Sequence, residues 1–301
     1  MKLIQWTLFI DMLGYRDING NITDEASAKD FLDFMESNKH IFDFQNNDDV
    51  KKRYKNDDQF NLYEFYDVQY SFVSDSFILT LYPKEVESLD NVEKMYMHSA
   101  NALYIITMRL QDFIFNCFSK KGVFLRGGIS NKYCYIRENF AVGEGLIEAY
   151  KIESSVAKYP RIAVSEHIIN NYRLMNALKF LEYALYNANK LILRDSSDGV
   201  HFLDYIGYQL STIDTTSAAV RKRVLKNRSG FDFQHKLVAK FIEVHANILE
   251  AKLTKLYERQ KKLKGKEKES VEKVIEKFEW LKEHHNKSVI SNNLVSHLTV
   301  S

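Results

Sequence analysis

The sequence predicts an α+β fold with a helical C-terminal extension. Three observations predict it. Strand-like segments alternate with long helical ones up to about residue 205. Only helical periodicity follows, from 216 to about 262 and again from about 267 to 285. No repeat of fixed period runs through the chain, so a solenoid is excluded. The expected organisation is a mixed unit over 1–205 and a helical unit over 206–301.

The elements follow in order. Residues 3–11 are short and apolar and read as a buried strand ended by Gly14. Helical spacing over 24–44 places Phe31, Phe34 and Met35 on one face, with Asp24 as N-cap. The Asn-, Asp- and Lys-rich stretch 45–60 reads as a surface loop. Residues 66–82 alternate as two strands around a tight turn at Ser74-Asp75-Ser76, and Pro83 closes the unit. A long helix is expected over 85–119, with Gly122 just past its end. Strands are expected at 123–129, bent at Gly127-Gly128, and at 133–142. A helix over 143–157, a short strand over 161–164 and a helix over 166–179 capped by Ser165 come next. A hairpin over 190–206 turns at Ser196-Ser197-Asp198-Gly199. The first terminal helix carries Leu237, Phe241, Val244, Ile248 and Ala251 as an apolar stripe. The second carries Val271, Val274, Phe278 and Leu281, and Gly265 marks the break between them.

Composition excludes several classes. The 301 residues are 45 % hydrophobic and 27 % charged, which is globular and not disordered. A net charge of +2 argues against a dedicated duplex-DNA binder and against nucleic acid as a partner. Cys117 and Cys134 are too few for a disulfide framework or a Cys-based zinc site. The apolar start is too short to span a membrane and no other stretch reaches that length, so a cytoplasmic protein without a membrane partner is expected.

Two carboxylates carry the candidate chemistry. Asp11 directly follows a buried strand, where an unpaired charge costs several kcal/mol. Asp75 sits at the tip of the 66–82 hairpin between apolar flanks. Side by side, the two would hold Mg2+ or Mn2+, which favour carboxylate oxygens together with substrate phosphates. The turn after Asp11 offers the N–H groups of Leu13, Gly14 and Tyr15 to a phosphate. Either Asp taken alone also reads as a turn former.

Five pieces then occur in order: Phe9-Ile10-Asp11-Met12-Leu13-Gly14-Tyr15, Ser74-Asp75-Ser76, Arg126-Gly127-Gly128-Ile129, Gly143-Glu144-Gly145 running on to Lys151-Ile152-Glu153, and Ile162-Ala163-Val164-Ser165. Over roughly residues 1–205 this resembles the class III nucleotidyl cyclases. The Arg-Gly-Gly-Ile, Glu-Ala-Tyr-Lys-Ile-Glu and Tyr-Pro-Arg-Ile pieces look most like the bacterial pyrimidine cyclases of the Pycsar anti-phage systems. The resemblance implies a ferredoxin-like palm sheet flanked by helices. It implies conversion of UTP or CTP to cUMP or cCMP plus pyrophosphate, with a separate effector protein reading the cyclic product. It implies two Mn2+ or Mg2+ ions on Asp11, Asp75 and the Met12 carbonyl, with Phe9 at the triphosphate. It also implies a homodimer with composite active sites, Asp11 and Asp75 from one chain and Lys151 from the other.

The departures are specific. Adenylyl and guanylyl cyclases carry an Asn and, four residues later, an Arg on the helix near Gly143; here the positions hold Ile147 and Lys151. Lys151 supplies charge without the Arg fork, and Ile147 cannot hydrogen-bond. The purine-reading positions hold Ser71 and Phe140, which argues against ATP and GTP and leaves uracil and cytosine open. Arg126 reads either as a triphosphate or dimer-partner contact or as a structural partner for a carboxylate. Arg161 reads as the anchor of an acidic side chain. The basic cluster at 221–228 reads as a solvated face, and His284-His285 as a solvated helix end. The alternative function is a catalytically inactive cyclase-like module that binds a nucleotide or a partner.

Overall fold

Alternation of side chains along β1 (Trp6–Leu13) organises the molecule. Trp6, Leu8, Ile10 and Met12 are buried on one face, while Thr7, Phe9 and Asp11 project from the other. The computed structural model describes residues 2–42, 60–85, 91–186 and 190–301. Most of the expected 45–60 loop lies outside those residues.

Gly14 leads from β1 into a short helix, α1 (Tyr15–Gly20). In α2 (Glu25–Lys39) the Asp24 carboxylate accepts from the Ser27 N–H, completing a capping box, and Phe31, Phe34 and Met35 are buried as expected. A single turn, α3 (Leu62–Phe65), precedes β2 (Tyr66–Val73) and β3 (Ser76–Pro83). The two-residue connection is possible because Ser74 takes φ 57°. Then α4 (Val92–Lys121) ends at Gly122, φ 64°, and β4 (Phe124–Ser130) follows.

These four strands lie in the order β2-β3-β1-β4, and each is antiparallel to its neighbour. Thus β3 is inserted between β1 and β2, and β1 between β3 and β4. This twice-split βαβ arrangement is the ferredoxin-like palm. The Trp6 face packs on α4, where the Trp6 indole N–H donates to the Ser99 carbonyl at 2.9 Å.

The expected strand over 133–142 is instead a two-stranded ribbon, β5 (Tyr135–Arg137) and β6 (Phe140–Val142), reversed where Glu138 takes φ 56°. The expected helix over 143–157 is α5 (Glu144–Lys151) continued by a π turn, Ile152–Val156. β7 (Ile162–Val164) joins β4 in parallel. The helix expected over 166–179 is broken into α6 (Glu166–Ile169) and α7 (Tyr172–Tyr186). β8 (Ile192–Arg194) and β9 (His201–Leu203) form the expected hairpin and extend the sheet to seven strands.

The C-terminal part holds α8 (Tyr205–Ser211), α9 (Ala218–Lys226), α10 (Arg228–Lys262) and α11 (Gly265–Ile290). One continuous helix is expected over 216–262; Asn227 breaks it at φ −151°, ψ 84° and caps α10 by accepting from the Gly230 N–H. The long helices share the main core. Phe241 packs on Phe118 and Phe278 on Phe124, with centroids 5.3 and 5.6 Å apart.

Two expectations fail here. Leu237 is 50 % exposed, and the buried stripe of α10 is rotated by a residue to Val238, Phe241, Ile242, His245 and Leu249. Nor are His284 and His285 solvated. His285 stacks on His245 at 4.9 Å and its ring pairs with the Leu298 carbonyl, while His284 pairs with buried Asp204 at 3.1 Å. Arg161 is 1 % exposed and binds Asp195 and Asp198, as anticipated. Among the described residues no helix is long and apolar enough to cross a membrane.

Candidate active site

The register of the central strands sets the site. Asp11 lies on β1 between Ser76 of β3 and Arg126 of β4. The β2–β3 turn delivers Asp75 to the same end of the sheet, where the Met12 N–H donates to the Asp75 carbonyl at 3.1 Å. The two carboxyl groups are within hydrogen-bonding reach of each other.

Arg126 stands 3.6 Å from Asp11, but its stronger partner is Glu153, which accepts from its Nε at 2.6 Å. Glu153, only 3 % exposed, comes from the π turn. Gly128 makes that approach possible. A Cβ there would stand 2.2 Å from the Ala149 carbonyl oxygen and 2.9 Å from the Glu153 nitrogen. The sequence marks Gly127-Gly128 as a bend or close approach; the backbone that approaches is α5 and its π turn.

The local balance is negative. Burial first, then repulsion from Glu153 and Asp75, raise the Asp11 pKa to about 6, and Arg126 only partly opposes this. Two adjacent carboxyls with a surplus of negative charge fit a divalent cation. The Asp11 and Asp75 carboxylates offer hard oxygens of the kind Mg2+ and Mn2+ favour. Among the described residues no group of three His, Cys, Asp or Glu forms a self-sufficient metal cage.

The other predicted residues are distributed as follows. Phe9 packs edge-on against Tyr150 at 5.2 Å, beside Ile78 and Ile136. Leu13 pairs with Phe124, Gly14 turns the chain at φ 94°, and Tyr15 packs on Phe31. Ser71 is buried and its hydroxyl has no protein partner. Phe140 is 74 % exposed at the ribbon, and Lys151 is exposed at the end of α5. Within one chain the fold therefore unites Asp11, Met12, Asp75 and Arg126, and leaves Phe140 and Lys151 at the surface.

Sequence reasoning does not single out Glu153 or Lys277. Lys277, half-buried on α11, lies in the field of Arg126, Glu153 and Asp11; burial and then Arg126 lower its ammonium pKa. For Glu153 the signal was available, since it closes the Glu148–Glu153 segment. For Lys277 no local signal exists, because it arrives from the far end of the chain.

No family model matches the chain, and no curated protein does. Among solved structures the chain is similar to the crystal structure of the guanylyl cyclase Cya2. That match covers 68 % of this chain and 92 % of the other, at 12 % identity and a TM-score of 0.30. At that score the likeness carries no argument, and the functional reading rests on strand order and on the site.

Proposed function

We propose that the protein is a metal-dependent nucleotidyl cyclase of class III type. It takes UTP or CTP, joins the ribose 3′-oxygen to the α-phosphorus and releases pyrophosphate. The observation that carries this reading is the meeting of Asp11 and Asp75 across the end of β1, in a palm sheet, with the Met12 carbonyl between them in sequence.

Asp11, Asp75 and Met12 would hold the two ions, Mg2+ or Mn2+. When bound, the ions supply a lowered 3′-hydroxyl pKa and charge for the departing pyrophosphate. The chain's own residues do the rest. Glu153 fixes Arg126, and Arg126 holds Asp11 in place. The N–H groups of Gly14 and Tyr15 receive phosphate oxygens, whereas that of Leu13 is taken up in its pairing with Phe124. The unpartnered Ser71 hydroxyl is a hydrogen-bonding group for a base edge, and Phe140 gives it a face to stack on.

A homodimer is part of the reading. Phe140, Val142, Ile147 and Tyr150 are exposed apolar side chains on the ribbon and α5, with Tyr133 just before the ribbon, and Ile147 is 67 % exposed. A second copy covering this face would explain it and would bring Lys151 to the neighbouring site. The cyclic product would signal to a separate effector in an anti-phage response.

The test is incubation of pure protein with each nucleoside triphosphate and Mn2+, with products read by mass spectrometry. Cyclic pyrimidine product from the wild type, lost in Asp11→Ala and in Asp75→Ala, is the expected result. Ile147 in place of a hydrogen-bonding side chain favours the second reading, an inactive nucleotide-binding module. That reading wins if biological activity survives Asp11→Ala.

A further inference from the structure

Resting on that reading, we propose that the α10–α11 hairpin completes the phosphate site of its own chain, with Lys252 and Lys277 binding the polyphosphate tail of the substrate. The hairpin is then part of the catalytic machinery and not an appendage.

Both lysines converge on the same end of β1. The Lys252 ammonium lies 3.4 Å from the position a Cβ would take on Gly14, in the turn that follows Asp11. It also lies over the Phe278 ring, 5.8 Å from the centroid. Phe278 is the residue after Lys277, and it packs on Phe124, the cross-strand partner of Leu13. Phe278 thus underlies the Lys252 ammonium beside the Gly14 turn, and Lys277, one residue before it on α11, lies in the field of Arg126, Glu153 and Asp11.

Charge makes the same point. Arg126 is the cation nearest the carboxyls, and Glu153 and Asp11 already engage it. Asp11, Asp75 and Glu153 against Arg126 leave a surplus of two negative charges before substrate arrives. Two divalent ions offset a triphosphate of about four negative charges and no more. The remaining deficit is two, and the hairpin brings two ammonium groups. A Lys suits a phosphate as a point charge on a flexible stem.

The experiment uses the full-length chain and inorganic tripolyphosphate as probe, titrated calorimetrically in Mg2+ buffer. Lys252→Met and Lys277→Met keep the apolar stems, and thermal melts establish that both variants fold. Each is expected to weaken tripolyphosphate binding by about tenfold, with Lys277→Arg close to wild type. In the cyclase assay both should raise KM more than they lower kcat. Binding and KM equal to wild type would overturn the assignment while leaving the cyclase reading intact. Faster turnover in either variant would also overturn it, making the hairpin a plug. A wild type that yields no cyclic product from any triphosphate removes the cyclase reading and this assignment with it.

Discussion

Asp11 and Asp75 face each other although 64 positions separate them in sequence, and a main-chain bond from the Met12 N–H to the Asp75 carbonyl ties the β2–β3 turn to β1. The pair sets the pH response of the metal-free protein. The folded Asp11 pKa, about 6, lies above its ordinary value of 3.8. The folded state therefore holds this proton more tightly than the unfolded state does. Stability from this group is full below about pH 4 and is lost as pH rises to about 6. The loss is on the order of 2 kcal/mol after partial exposure is discounted. Asp11→Asn should remove this limb from a plot of melting temperature against pH. Mn2+ should raise the melting temperature of the wild type more at pH 7.5 than at pH 5, and should do little for Asp11→Asn.

The stacked His245 and His285 rings predict an opposite acid limb. Burial lowers both pKa values, and each ring repels its charged neighbours. Their contribution is present above the unfolded value near 6.5 and is lost as pH falls, with a slope approaching about 1.4 kcal/mol per pH unit for His245 and a smaller one for His285. The C-terminal hairpin should loosen first. Fluorescence of Trp280, which stacks on Tyr159 and donates to Asp195, should report the change. His245→Leu should flatten that response; an unchanged acid transition would count against the pair as its cause.

Gly128→Ala should destabilise the fold by about 3 kcal/mol in urea titrations, because the new methyl group meets main-chain atoms of Ala149 and Glu153. The damage should reach the site, since the backbone that must move carries Glu153 away from Arg126. Gly122→Ala is the comparison. Its Cβ meets nothing, and only φ 64° opposes it, so about 1 kcal/mol is expected.

Arg161 joins the sheet to α11. It binds Asp195 and Asp198 and lies under Trp280 and Tyr159. Arg161→Met leaves those carboxylates without their cation and should cost about 3 to 5 kcal/mol in chemical denaturation.

Ile147→Asp and Phe140→Asp should convert a dimer to a monomer in sedimentation velocity without lowering the melting temperature by more than a few degrees. Both side chains are mostly exposed, so the protomer core does not depend on them. Loss of cyclisation together with the dimer would tie activity to assembly.

Local signals made much of this architecture legible. Period-2 alternation marks β1, the Ser74-Asp75 turn marks the β2–β3 hairpin, Asp24 marks the start of α2, and Gly122 the end of α4. Each of these depends on a few neighbouring residues. What the sequence hid depends on distant packing. The buried stripe of α10 includes His245, so an apolar count favours the wrong set, and His284-His285 resembles a wet helix end until Asp204 and Leu298 are beside it. At the site, the Asp11 and Asp75 pair was legible from strand ends. Glu153 stood inside a quoted segment, but its meeting with Arg126 was hidden, because a π turn sets where its carboxylate lands.

Strand β1 is made first and finished last. It pairs with β3 and β4, and the turn that follows Asp11 is approached by Lys252 of a hairpin that reverses only at Gly265. A ribosome adding roughly 5 to 20 residues per second emits Asp11 on the order of 15 to 50 s before Lys277. A nascent or prematurely terminated chain therefore carries both carboxylates without the hairpin's cations. On the proposed reading, a chain cut short lacks the cations that complete its phosphate site, so synthesis itself acts as a safety catch.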